Sequence, residues 1–212
     1  MVVDAAKGVE DQTRKLFHVC SLREMPIFTF INKMDREAQD PFGLLEDIEA
    51  ELGIKTYPMN WPIGSGKDFK GVYDRQNQRI IAFNGGNHGS TEVEAIEGSV
   101  DDEKFREILG EALHDKLMED IELLDIAGDE LDMEKVRVGE LTPVFFGSAL
   151  TNFGVEPFLE SFLEITPPPT PRSSNLGDID PNSNNFSGFI FKIQANMDKN
   201  HRDRIAFLRI CS

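Results

Sequence analysis

Two short stretches of this 212-residue chain carry residue types able to read a purine base. The first is Asn32-Lys33-Met34-Asp35, directly after the apolar run Pro26-Ile27-Phe28-Thr29-Phe30-Ile31. A carboxylate at Asp35 can accept two parallel hydrogen bonds from guanine, one from N1–H and one from the 2-amino group. Adenine offers neither donor at that edge. A site that leaves its buried carboxylate unpaired rejects the wrong base, by ~10⁴–10⁵ in well-built cases. Lys33 can lay its aliphatic stem along the base or ribose. Asn32 has both donor and acceptor capacity with which to tie neighbouring loops together. The second stretch is Gly147-Ser148-Ala149-Leu150, after the apolar run Thr142-Pro143-Val144-Phe145-Phe146. From there the Ala149 backbone N–H can be aimed at guanine O6, the Ser148 hydroxyl can steady Asp35, and Leu150 can pack. One Asn-Lys-x-Asp is also the composition of an ordinary polar turn. Two such loops after two buried strands are the specific signal.

Those loops need strands to carry them, and the flanking pattern supplies them. Met1-Val2-Val3 reads as a buried strand and residues 11–22 as an amphipathic helix, followed by the strand ending at Ile31. Asp40-Pro41 is a good N-cap with Pro at the first helical position. Phe42, Leu45, Ile48 and Leu52 then mark one face, and Gly53 stands where a C-terminal glycine belongs. Strand, helix, strand, loop, helix is the grammar of a doubly wound α/β domain, whose ligands bind at the carboxyl ends of the strands. The grammar breaks from residue 54 to 98, where short β-like pieces (57–63, 69–73, 79–83) alternate with turn residues; 71–83 predicts a hairpin. Phe105, Ile108, Leu109, Leu113, Leu117, Ile121 and Leu124 predict one long helix over 101–127, and a short helix is expected within 129–139. The α/β pattern resumes with the strand before Gly147 and a helix marked by Val155, Phe158, Leu159, Phe162 and Ile165. Thr166-Pro167-Pro168-Pro169-Thr170-Pro171 ends it. Residues 169–185 have linker composition, and the alternation over 189–195 and 205–210 predicts a hairpin of a further β domain.

The chain holds 22 Lys and Arg against 38 Asp and Glu, a net charge of −16. Between Thr91 and Lys135 there are 17 acidic and 4 basic residues, a net of −13, which leaves only −3 for the other 167 positions. Such a balance makes a poor non-specific ligand for DNA or an anionic membrane. Cys20 and Cys211 stand far apart, so no disulfide framework is expected, and the spacing of the four histidines predicts no metal site. Met1 is followed by no basic n-region, so no signal peptide is expected. Gly64-Ser65-Gly66-Lys67 tempts a phosphate-loop reading. That motif needs Gly at position 61 and Ser or Thr at position 68, where Trp61 and Asp68 stand.

Beyond the two loops, Asp4-Ala5-Ala6-Lys7-Gly8-Val9-Glu10-Asp11-Gln12-Thr13 and Phe30-Ile31-Asn32-Lys33-Met34-Asp35-Arg36 resemble the second half of a translational GTPase domain. Trp61 to Asp74 resembles a stretch shared by the elongation factor G group. Phe189 to Asp198 and His201 to Phe207 are similar to its bacterial release-factor branch. The 113 positions from Asp35 to Ser148 far exceed the ~25–30 that a helix, two loops and a strand require, so an insertion is expected there. The resemblance implies an α/β fold: the C-terminal part of a P-loop GTPase (doubly wound) domain with an inserted α+β subdomain, followed by the start of a β-barrel domain. The corresponding boundaries are 1–56 and 140–168 for the G domain, 57–139 for the insertion, 169–185 for the linker and 186–212 for the first barrel hairpin.

It further implies GTP or GDP bound through Asn32, Lys33, Asp35, Ser148, Ala149 and Leu150, with no catalytic residue in this chain. The family's phosphate loop, switch residues and Mg2+ ligands are expected upstream of Met1, and hydrolysis by this chain alone is not expected. Ribosome association in the cytoplasm is implied, with the stalk protein, small-subunit rRNA and codon-reading release factors as partners, and no membrane or DNA partner. In that group the insertion lies near the stalk, so its acidic helix reads either as a solvated face or as a surface toward the stalk. His201 to Arg204 reads as an exposed hairpin connection of balanced charge, with contact to rRNA phosphate as the alternative. Trp61 is expected in the core of the insertion. Without the strands that relatives place beside Met1–Val3 and Pro26–Ile31, exposed sheet edges and association are expected.

Overall fold

The computed structural model describes residues 1–83, 95–127, 130–195 and 204–212. Two units follow one another, residues 1–165 and 166–212. In the first, β1 (Val2–Asp4), α1 (Asp11–Ser21), β2 (Thr29–Asn32), α2 (Pro41–Leu52) and β3 (Lys55–Pro58) lead into β4 (Asn60–Ile63), β5 (Gly71–Asp74), β6 (Arg79–Phe83) and β7 (Ala95–Ser99). Then come α3 (Glu103–Leu109), α4 (Glu111–Ala127), α5 (Met133–Val138), β8 (Leu141–Phe146) and α6 (Val155–Ile165). The second unit holds β9 (Arg172–Ser174), β10 (Gly177–Ile179), β11 (Gly188–Ala195) and β12 (Arg204–Ile210).

A parallel sheet in the order β1-β2-β8-β3 carries the two candidate loops at the carboxyl ends of β2 and β8, which are neighbours. Every residue of β8 is buried, as its unbroken apolar run predicts. Thr29 of β2 and Thr142 of the neighbouring β8 share a hydroxyl hydrogen bond of 2.8 Å, so neither buried oxygen is left alone. β1 and β2 pair with each other, which puts β2 inside the sheet. The open edge expected at both strands is therefore found only at β1. Helix α2 follows its sequence signals: the Asp40 carboxylate accepts from the Gly43 amide at 3.0 Å, and Gly53 closes the helix in the left-handed region.

The second sheet, β4-β5-β6-β7, is antiparallel and lies within the segment expected to be inserted. Two expectations change here. The run 57–63 is not one strand: β3 belongs to the parallel sheet and β4 to the antiparallel one, with the chain crossing at Met59, whose amide donates to Val144 O at 2.8 Å. The helix expected over 101–127 is two. Gly110 adopts φ +81°, ψ 153°, which an α-helix cannot contain, and separates α3 from α4. The apolar stripe continues across the break because both helices pack on the same core.

In the second unit β11 and β12 pair antiparallel, the hairpin that their alternation predicts. The polar segment before them is not wholly irregular, since β9 and β10 form a short antiparallel pair around Asn175 and Leu176. Residues 196–203, which include Asn196 to Asp198 and His201 to Asp203 of the two release-factor-like stretches and all but Arg204 of the expected rRNA contact, lie outside the described residues.

Candidate functional site

The site is built where β2 and β8 end side by side. Beyond Asn32 the backbone turns through Lys33, which holds φ +74°, a conformation uncommon for a residue with a side chain. Met34, fully buried, anchors the turn, its amide donating to Gly147 O at 3.1 Å. Gly147 in turn donates from its own amide to Ile31 O at 3.0 Å. A Cβ at position 147 would sit 2.4 Å from Phe153 O and 2.8 Å from the Phe30 ring, so the close lacing of the two loops requires glycine. The second loop is closed by reciprocal backbone bonds between Ser148 and Phe153, at 2.9 and 3.0 Å.

Side chains then join the loops. The buried Ser148 hydroxyl donates to Asp35 Oδ1 at 2.5 Å. Asn32 Oδ1 accepts from the Lys33 amide at 2.8 Å and from the Ala149 amide at 2.9 Å. Asp35 is half-buried, while Ala149 and Leu150 are exposed, so the face these residues present is open. All six residues singled out from the sequence, Asn32, Lys33, Asp35, Ser148, Ala149 and Leu150, lie on these two loops. One detail differs from expectation: the Ala149 amide is engaged with Asn32 rather than free.

Two contacts are not legible in the sequence. Lys33 Nζ donates to Asp4 Oδ2 at 2.6 Å, and Asp4 Oδ1 accepts from the Ala6 amide at 2.9 Å. The hydrogen bond from Lys33 holds the Asp4 carboxyl below its ordinary value, which favours its ionised form. From sequence, Asp4 reads either as a family position beside the switch region or as a simple strand end. The parallel register that sets Asp4 opposite Asn32 is what gives it a partner on the first loop. Asn60 makes the second contact: its Nδ2 donates to Phe146 O at 3.1 Å and its Oδ1 accepts from Phe146 N at 2.7 Å. Gly64 to Lys67 lies in the connection between antiparallel β4 and β5, which passes through a single 3₁₀ turn at Gly66–Asp68 and returns to a strand, whereas a phosphate loop opens an α-helix. Among the described residues there is no cluster of three or more His, Cys, Asp or Glu side chains arranged to hold a metal ion. Among the same residues, no helix is long and apolar enough to cross a membrane.

A parallel sheet with two laced loops at adjacent carboxyl ends defines a nucleotide-domain architecture. Residues 1–168 match the family of the elongation factor Tu GTP binding domain, and the chain belongs to that family. Over all 212 residues it is 56% identical to peptide chain release factor 3 of Symbiobacterium thermophilum and 55% identical to that of Microcystis aeruginosa. The chain spans 40% and 39% of the length of those two relatives. A solved structure from Thermus thermophilus is similar with a TM-score of 0.63 at 23% identity, covering 99% of this chain and 31% of that one, a likeness of fold alone.

Proposed function

We propose that this chain is the guanine-nucleotide-binding portion of a ribosome-associated GTPase of translation termination, one that promotes recycling of the codon-reading release factors. The observation that carries the reading is the 56% identity to a peptide chain release factor 3 over every residue of the chain, both base loops included. The ligand is GTP or GDP. Asp35 accepts from guanine N1–H and the 2-amino group, with one oxygen already oriented by Ser148. Lys33, held by Asp4, lays its stem along the base, and Leu150 packs on it. The Ala149 amide exchanges its Asn32 acceptor for guanine O6. This gives the chain the base-reading half of a nucleotide site. Phosphate binding, Mg2+ coordination and the chemistry of hydrolysis are assigned to other parts of the full-length factor, which works on the ribosome in the cytoplasm. The stalk protein and small-subunit rRNA are its expected contacts.

The test is a chimera in which these 212 residues replace the matching segment of the Symbiobacterium factor. It is expected to keep GTP-dependent dissociation of codon-reading release factors from terminated ribosomes. A chimera that binds GTP and supports translocation instead would move the reading to an elongation-factor role. One that binds ribosomes without responding to nucleotide would make the chain a non-catalytic ribosome-binding module.

A further inference from the structure

The antiparallel unit that interrupts the sheet touches both base-reading loops, by two independent contacts. Asn60, at the start of β4, is buried, and its carboxamide satisfies the backbone N–H and C=O of Phe146, the last residue of β8. An edge strand would ordinarily make those bonds, so one side chain substitutes for a strand immediately before Gly147 and Ser148. The turn after β4 reaches the other loop: the Gly66 amide donates to Met34 O at 2.8 Å, in the middle of Asn32–Asp35. Between the two contacts, Trp61 lies edge-on to Phe146, with ring centroids 5.5 Å apart, and donates from Nε1 to Asp120 of α4 at 3.0 Å.

We infer that Asn60 and the Gly64–Gly66 turn are positioning residues for guanine recognition, bracing the second loop through Phe146 and the first through Met34. The inference rests on the guanine reading given above and assigns that site a support in the inserted unit. Asp35 must meet N1–H and the 2-amino group together, and Ala149 must meet O6. A few tenths of an ångström of slack at either loop weakens paired hydrogen bonds more than it weakens stacking on the base. Loss of the brace therefore falls on base discrimination before it falls on binding as such.

The experiment uses the 212-residue chain and free nucleosides, so that no phosphate contact contributes. Affinities for guanosine, inosine and adenosine are read by ligand-observed NMR competition. Inosine lacks the 2-amino group and reports the second Asp35 bond. Asn60→Ala removes the Phe146 support. Gly64→Ala distorts the turn, because its Cβ would lie 2.1 Å from Asp68 O. Val72→Ala, in the buried core of β5, destabilises the same unit without touching either loop, and thermal melts match the variants for stability. We expect both brace variants to bind guanosine about tenfold more weakly and to lose most of the preference over inosine, while V72A keeps it. A wild-type chain with no preference for guanosine over adenosine would remove the guanine reading and the brace with it. A wild-type preference retained in full by either folded brace variant would overturn the brace alone, as would an equal loss in V72A.

Discussion

Asp35→Asn is expected to weaken guanosine binding by about 3 kcal/mol, roughly a hundredfold, and to leave the fold intact. The carboxylate of Asp35 offers two acceptors to two donors of guanine. A carboxamide offers one acceptor and one donor, so one hydrogen bond survives and the other becomes a clash of donors. The substitution is otherwise conservative, because Ser148 can still donate to the remaining oxygen. The same change creates complementarity to xanthine, which presents N1–H beside a carbonyl oxygen. Xanthosine should therefore gain affinity in D35N as guanosine loses it. This exchange of preference separates a base-reading carboxylate from a merely structural one. If D35N binds both nucleosides as the wild type does, Asp35 does not face the base.

The largest effect on stability is expected at Trp61, the one tryptophan of the chain. It is fully buried and packs on Phe42 of α2, with ring centroids 4.5 Å apart, and on Phe146 of β8. It thereby joins α2, β4 and β8 in one core. Trp61→Ala removes those contacts and leaves a cavity, which costs ~3–5 kcal/mol. In a domain of this size that lowers the melting temperature by roughly 10 °C or more. Trp61→Phe keeps much of the packing and removes the donor to Asp120, a buried carboxylate that retains Lys116 at 3.4 Å. Its cost is expected at ~1–3 kcal/mol. Far-UV circular dichroism melts of the two variants measure both values. W61A melting within 2–3 °C of wild type, a shift worth only ~1 kcal/mol, would show that Trp61 does not hold the two sheets together.

What the sequence could disclose depended on how local each signal was. Asp40, Pro41 and Gly53 mark the ends of α2 through bonds within a few residues, and the structure places the helix where they do. Asn32–Asp35 and Gly147–Leu150 were readable for a similar reason: each motif sits directly after a buried strand, and the order β2-β8 makes the two neighbours. Gly110 failed as a signal because the apolar positions keep helical spacing on both sides of it. The division of β3 from β4 was hidden because Pro58 and the residues Asn60 to Ile63 are buried on both faces, so nothing in the pattern marks a change of sheet. Asn60 was invisible for a further reason. A polar residue in a strand reads as an interruption, and its partner, Phe146, is 86 positions away. The engagement of Ala149 with Asn32 is likewise a contact across 117 positions. Long-range hydrogen bonds of side chain to backbone leave no periodicity to read.

The most direct test of the guanine site is a two-dimensional amide NMR titration of the ¹⁵N-labelled 212-residue chain with guanosine, and in parallel with adenosine. The two-loop site predicts that guanosine shifts the amides of Asn32 to Asp35 and of Ser148 to Leu150, that of Ala149 most of all as it leaves Asn32 for O6. Adenosine at the same concentration should leave them in place. Equal shifts from both nucleosides, or guanosine shifts confined to other residues, would contradict it.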